Sequence, residues 1–195
     1  MLIFVAEFKE VYFILGAVIY IFILSIISIG FCSVIHEYGH ARQAQKLGDT
    51  ALVTIHNGLL KNRYLTYKRV LIFFSNDKRI RSKTYVKTDF TVYTDEQIQQ
   101  ISRAGLVNSC KCAVVMLIFA ISGFLFYIEI GIELVLIWVI CMLLFATDAK
   151  KTCKKNQFND FAIIKNPAAF REYMQHATKD TYEEINKIIN DIMKE

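Results

Sequence analysis

From Val11 to Ile35 the chain runs for 25 residues without a charged side chain, and the next residue is a histidine. A run of this length, rising about 1.5 Å per residue as a helix, is enough to cross a hydrocarbon layer of roughly 30 Å with some tilt. It is too long, and too poorly followed by small residues, to read as a cleaved signal peptide. Hydrophobic residues make up 54% of the 195, more than a soluble globular chain usually carries. The excess is concentrated in Val11 to Ile35 and Leu106 to Phe145, whereas Ala41 to Arg103 and the tail after Thr147 hold most of the charge. Such a block pattern predicts a membrane protein.

A second apolar span covers about 106–127, interrupted near its start by Lys111, whose long side chain can reach toward the interface. Tyr127 to Ile132 is short enough for a hairpin, and a third span containing Trp138 returns over about 132–147. The expected fold is therefore an α-helical integral membrane protein: a three-transmembrane-helix core (spans about 11–35, 106–127 and 132–147), a small cytoplasmic β-sheet insertion and a C-terminal helix. Residues 1–165 form the membrane-embedded core on this reading, and 166–195 form a cytoplasmic helical tail. Arg63, Lys68, Arg69, Lys78, Arg79 and Arg81 lie between the first two spans, and Lys150, Lys151, Lys154 and Lys155 follow the third; the other flanks have only Lys9. The positive-inside tendency puts the sheet, the tail and the His36 end of the first span toward the cytoplasm of a multi-pass protein of the cell membrane. This topology accounts for the net charge of +5. No basic stripe interleaved with aromatics is present, so a nucleic-acid partner is not expected; the lipid bilayer is.

The first helix should continue through HEYGHARQAQKL to a stop at Gly48. In the 50–92 region, Ala51 to His56, Val70 to Phe74 and Thr84 to Val92 read as strands of a small antiparallel sheet, with turns at Asn57-Gly58 and Ser75-Asn76-Asp77. Thr94-Asp95-Glu96 offers a cap for a helix beginning before Ile98. Asn166-Pro167 starts another, with Pro at the first helical position. In that tail Tyr182, Ile185, Ile188, Ile189 and Ile192 make an apolar stripe that packs on the domain or lies on lipid. The five cysteines show no CxxC spacing, and no disulfide framework is expected.

His36-Glu37-Tyr38-Gly39-His40 fits HExxH. On a helix the two histidines, four residues apart, face the same side and can ligate one zinc ion, while Glu37 can act as general base for a water on it. Ionisable residues at the end of a membrane span are costly, which argues that three of them together serve a function. Catalytic zinc normally takes three protein ligands. His56, in a strand, and His176, in the tail, read as ordinary surface or partly buried residues. The carboxylates to consider are Asp148, Asp160, Glu129 and Glu133; the last two fall on the opposite membrane face from His36, which leaves Asp148 and Asp160.

The stretch HEYGHARQAQKLG resembles the site-2 protease family of intramembrane zinc metalloproteases, whose corresponding helix reads HExGHxxxAxxxG or close to it. Ala104-Gly105-Leu106-Val107-Asn108 is similar to the family's Ala-Gly-Pro-x-x-Asn element, with Leu106 in place of Pro, and Asn159-Asp160-Phe161 stands where the family has its Asp-Gly, with Phe161 in place of Gly. The resemblance covers about residues 11 to 165. It implies a three-helix catalytic core, zinc held by His36, His40 and Asp160 with Asp148 as the alternative third ligand, Glu37 as catalytic base, and Asn108 near the substrate. The expected activity is zinc-dependent hydrolysis of a membrane protein substrate within or beside the bilayer. The alternative is a catalytically silent membrane scaffold of the same fold that binds a partner.

Overall fold

The structure, a computed structural model, describes residues 2–56, 62–125, 128–150, 158–176 and 182–194. Its first helix, α1, spans Leu2–Lys46 and carries the apolar run and the HExxH segment without a break. It stops where the sequence predicts. Gly48 adopts φ +88°, its N–H bonds to the carbonyl of Gln45 at 3.0 Å, and the N–H of Asp49 reaches back to Ala44 at 3.1 Å. This paired closure satisfies carbonyls that would otherwise be orphaned, and it favours a residue without Cβ at the left-handed position. Helix α2, Asp95–Gly123, opens with a reciprocal cap: Gln97 N–H donates to Thr94 Oγ1 at 3.2 Å, and Thr94 N–H donates to Gln97 Oε1 at 2.9 Å.

Four strands follow α1: β1 (Ala51–His56), β2 (Arg63–Tyr67), β3 (Val70–Ser75) and β4 (Lys83–Val86). They form one sheet in the order β2-β3-β1-β4. The sheet is mixed, which corrects the antiparallel expectation. β1 and β3 run parallel, Val53 opposite Ile72, while β2 and β4 pair antiparallel on the outside. The reason lies in burial. β1 and β3 are largely buried on both faces and take the centre, whereas every residue of β2 is exposed and the strand serves as an edge. β2 has too few buried positions to stand out in the sequence. The predicted strand over Thr84 to Val92 is also shorter, because after Val86 the Thr88 N–H turns to the Asp49 carboxylate at 3.0 Å instead of continuing the ladder.

Helices α3 (Ile128–Lys150), α4 (Asp160–Lys165), α5 (Pro167–His176) and α6 (Tyr182–Ile192) complete the described chain. Among the described residues the tail holds two helices in place of one, and Asn166 caps α5 by accepting from Ala169 N–H at 3.1 Å. The chain is mostly helical with a small mixed sheet. Among the described residues one helix, α2, is long and apolar enough to cross a membrane.

Two compact units are present: Met1–Phe31 with Ala113–Phe145, and Cys32–Cys112 with Ala146–Glu195. In the first, the Trp138 indole N–H donates to the Ala113 carbonyl at 2.9 Å. The second unit is a sheet covered on both faces. On one face Val53, Ile55, Val70 and Ile72 pack with Ala41 and Ala44 of α1, Ile98 and Ile101 of α2, Ile163 of α4 and Phe170 of α5. On the other, Leu52, Phe73 and Tyr85 pack with Ile185, Ile189 and Ile192 of α6. The α6 stripe therefore covers the sheet.

Candidate metal centre

One turn of α1 separates His36 from His40, and their Nε2 atoms lie 3.1 Å apart with the rings at 88° to each other. The third group arrives on a short element whose placement is set by its own contacts. Asn159 caps α4 by accepting from Ala162 N–H at 2.9 Å, Ile163 is buried in the core, and Gln99 Nε2 on α2 donates to the Ile164 carbonyl at 3.0 Å. Asp160, the first residue of α4, then presents Oδ2 at 2.9 Å from His36 Nε2 and 3.2 Å from His40 Nε2. Two imidazole nitrogens and one carboxylate oxygen converge on one point.

These three donors could hold a metal ion. A tetrahedral ion bonded at roughly 2.0–2.1 Å sets its donors about 3.3 Å apart, so the observed triangle of 2.9, 3.1 and 3.2 Å needs only a slight opening. The other ring nitrogens are held as well. His40 Nδ1 donates to the Ile101 carbonyl at 2.7 Å, and His36 Nδ1 pairs with Ser109 Oγ at 2.8 Å. A proton committed to Nδ1 leaves the Nε2 lone pair for a metal, and outer partners of this kind orient metal-ligating histidines.

The electrostatics of the ion-free site follow from the same geometry. Burial works against the His40 cation, but the hydrogen bond and charge of Asp160, helped by Glu37, outweigh it and raise the imidazole from 6.5 to about 9. Burial likewise opposes the Asp160 carboxylate, yet hydrogen bonds from His36 and His40 bring it down to about 2. The ionised Asp160 carboxylate favours positive charge on the imidazole beside it.

α1 and α2 must approach closely for this. A Cβ on Gly39 would lie 2.6 Å from the Ala104 carbonyl oxygen, and one on Gly105 would overlap the His40 ring. Both positions therefore exclude a side chain. Asn108 Nδ2 lies 3.4 Å from the Ile35 carbonyl and borders Gly39, which makes it a helix-to-helix contact of α2 with α1. Glu37 is half-buried, and the Thr84 hydroxyl on β4 lies 2.7 Å from its Oε2 and 2.8 Å from its main-chain oxygen.

The structure thus brings Asp160 to His36 and His40. Asp148 is in α3, with its side chain outside the described residues; Glu129 and Glu133 belong to the other compact unit. His56 is exposed and pairs through Nδ1 with the Asp77 carbonyl at 3.2 Å, and the side chain of His176 lies outside the described residues. Sequence reasoning missed Ser109, Thr84 and the Ile101 carbonyl. Ser109 and Gly105, four residues apart on α2, share a helix face, a signal that marks both once His36 and His40 are known to pack there. Thr84 carries no such signal. No protein-family model, curated protein or solved structure matches the chain.

Proposed function

We propose that this protein is a zinc-dependent endopeptidase of the membrane that cleaves membrane protein substrates within or beside the bilayer, in the manner of the site-2 proteases its HEYGH segment resembles. The observation that carries the reading is Asp160 Oδ2 within 3.2 Å of both HExxH histidine nitrogens. Two imidazoles and a carboxylate, with the acidic Glu37 between the two histidines in sequence, are the donor set and base that zinc hydrolysis uses. A three-span core is part of the proposal. It is supported by large apolar side chains exposed along all three long helices, among them Ile23 and Ile27 of α1, Ile118 and Phe119 of α2, and Leu136 and Leu143 of α3. Exposed apolar surface on that scale suits lipid rather than water.

Zinc bound by His36, His40 and Asp160 would lower the pKa of a water and polarise the scissile carbonyl. Glu37 does the proton work. Thr84 holds its Oε2 at 2.7 Å, and the carboxylate would take a proton from the attacking water and pass it to the leaving amide nitrogen. Thr84 sits on β4, the outer strand on that side of the sheet. An unwound substrate segment pairing along β4 would bring its carbonyls beside the base, which matters because a helical substrate hides them in its own hydrogen bonds.

The test is zinc content in the detergent-purified Glu37→Gln protein, alone and combined with Asp160→Ala. About one zinc per chain in the first and a sharp loss in the second is expected, with peptide cleavage lowered by about 10²–10⁴-fold in Glu37→Gln. Absence of zinc under metal-replete conditions would overturn the protease reading in favour of a silent membrane scaffold.

A further inference from the structure

Cys32 of α1 and Cys112 of α2, 80 residues apart in sequence, place their sulfur atoms 3.3 Å apart. Cys32 precedes His36 by one helical turn, and Cys112 follows Ser109 by three residues. The sulfur contact and the 2.8 Å contact of His36 with Ser109 are therefore successive rungs between the same two helices. No S–S bond joins them, Cys112 is buried and Cys32 is half-buried. A disulfide needs the sulfurs at about 2.05 Å, so the 3.3 Å pair has only about 1.2 Å left to close.

We propose that Cys32 and Cys112 form a reversible disulfide that staples α1 to α2 beside the metal-binding residues when the protein meets a two-electron oxidant such as hydrogen peroxide. Cys32, the less buried of the two and one helical turn from His36, reacts first. Its thiolate attacks peroxide, the O–O bond breaks, and with the proton the Cys32 thiol released to solution a sulfenic acid and one water result. The Cys112 sulfur then attacks the Cys32 sulfur, the S–S bond forms, and the sulfenic hydroxyl leaves with the thiol proton of Cys112 as a second water. In sum, two thiols lose two electrons and two protons, and one peroxide becomes two waters. A dithiol reductant reverses the bond by exchange.

The staple bears on the metal centre because α2 supplies the outer partners of both histidines, Ser109 and the Ile101 carbonyl, and through Gln99 holds the α4 segment that carries Asp160, so fixing α2 to α1 restrains the separation of ligands that metal loss requires. Oxidation should slow metal loss. This consequence rests on the metal reading above, whereas the crosslink itself does not.

The experiment uses the full chain in detergent, treated with hydrogen peroxide, thiol-blocked, digested with trypsin and mapped by mass spectrometry. Cleavage after Lys111 puts Cys110 and Cys112 on separate peptides. The expected result is a Cys32–Cys112 linked pair in monomeric protein, lost on treatment with dithiothreitol, and a dimedone-trapped sulfenic acid at Cys32 in Cys112→Ser. No such pair, or pairing of Cys32 with Cys110 instead, would overturn the proposal. In zinc-loaded protein, release to a chelator should be several-fold slower after oxidation in the parent chain and unchanged in Cys112→Ser; equal rates in the parent chain would overturn the staple's effect. A mapped crosslink in protein that takes up no zinc would overturn the metal reading and leave the disulfide standing.

Discussion

His40 donates its Nδ1 proton to the carbonyl oxygen of Ile101 at 2.7 Å, a side chain of α1 fixed by the main chain of α2. The acceptor belongs to the backbone, so no side-chain substitution removes it. His36 is different, because its outer partner is the Ser109 hydroxyl.

Ser109→Ala should therefore weaken zinc binding by about 10–100-fold, the usual effect of deleting an outer partner of a metal-bound histidine. Asp160→Ala, which removes a donor, should weaken it further. Competition against a chromogenic chelator measures both. A Ser109→Ala protein with unchanged affinity would mean that His36 is oriented by something else.

Metal binding should release a proton. In the ion-free protein His40 stays protonated up to about pH 9, whereas Asp160 is already ionised above about pH 2. A metal-bound imidazole must be neutral at Nε2, so metal and proton compete at His40 and not at Asp160. Apparent affinity should rise with pH by up to about tenfold per unit, and the His40 contribution should level off near pH 9. Calorimetry in buffers of different ionisation enthalpy should count about one proton from His40 near neutral pH.

Gly105→Ala should destabilise the helix pair by about 1–3 kcal/mol, the range for inserting atoms into a filled space, and should displace the His40 ring that its Cβ would overlap. Gly30→Ala is the control. A Cβ there meets nothing within 4 Å, and the change should be neutral or stabilising by up to about 1 kcal/mol. Thermal unfolding in detergent, with zinc content read on the same samples, separates the two.

Ile185 on α6 is 1% exposed and packs in a cluster with Leu52, Phe73 and Tyr85 of the sheet. Ile185→Ala should cost about 2–4 kcal/mol of stability. Asn190→Ala, on the exposed side of the same helix, should change it by less than about 0.5 kcal/mol. Equal effects on chemical denaturation would show that α6 does not seat on the sheet in solution.

Much of this protein is written locally. The uncharged run, the spacing of His36 and His40, the stop at Gly48 and the reciprocal cap of Thr94 with Gln97 each depend on residues within a few positions of one another, and helical periodicity or backbone sterics suffices to read them. The α6 stripe is legible for the same reason, although not the surface it covers. What the tertiary structure alone decided is which distant groups meet. Residue chemistry by itself leaves both Asp148 and Asp160 open, the resemblance favours Asp160, and the Asn159 cap, buried Ile163 and the bond from Gln99 to Ile164 set the start of α4 against α1. The parallel pairing of β1 with β3 likewise came from burying both faces of each strand, with β2 left at the edge. Thr84 reaches Glu37, and Cys32 reaches Cys112, through contacts that no local pattern encodes. A chain's periodicity says which way a side chain faces along its own helix or strand, whereas its partner is chosen by the packing of all the elements at once.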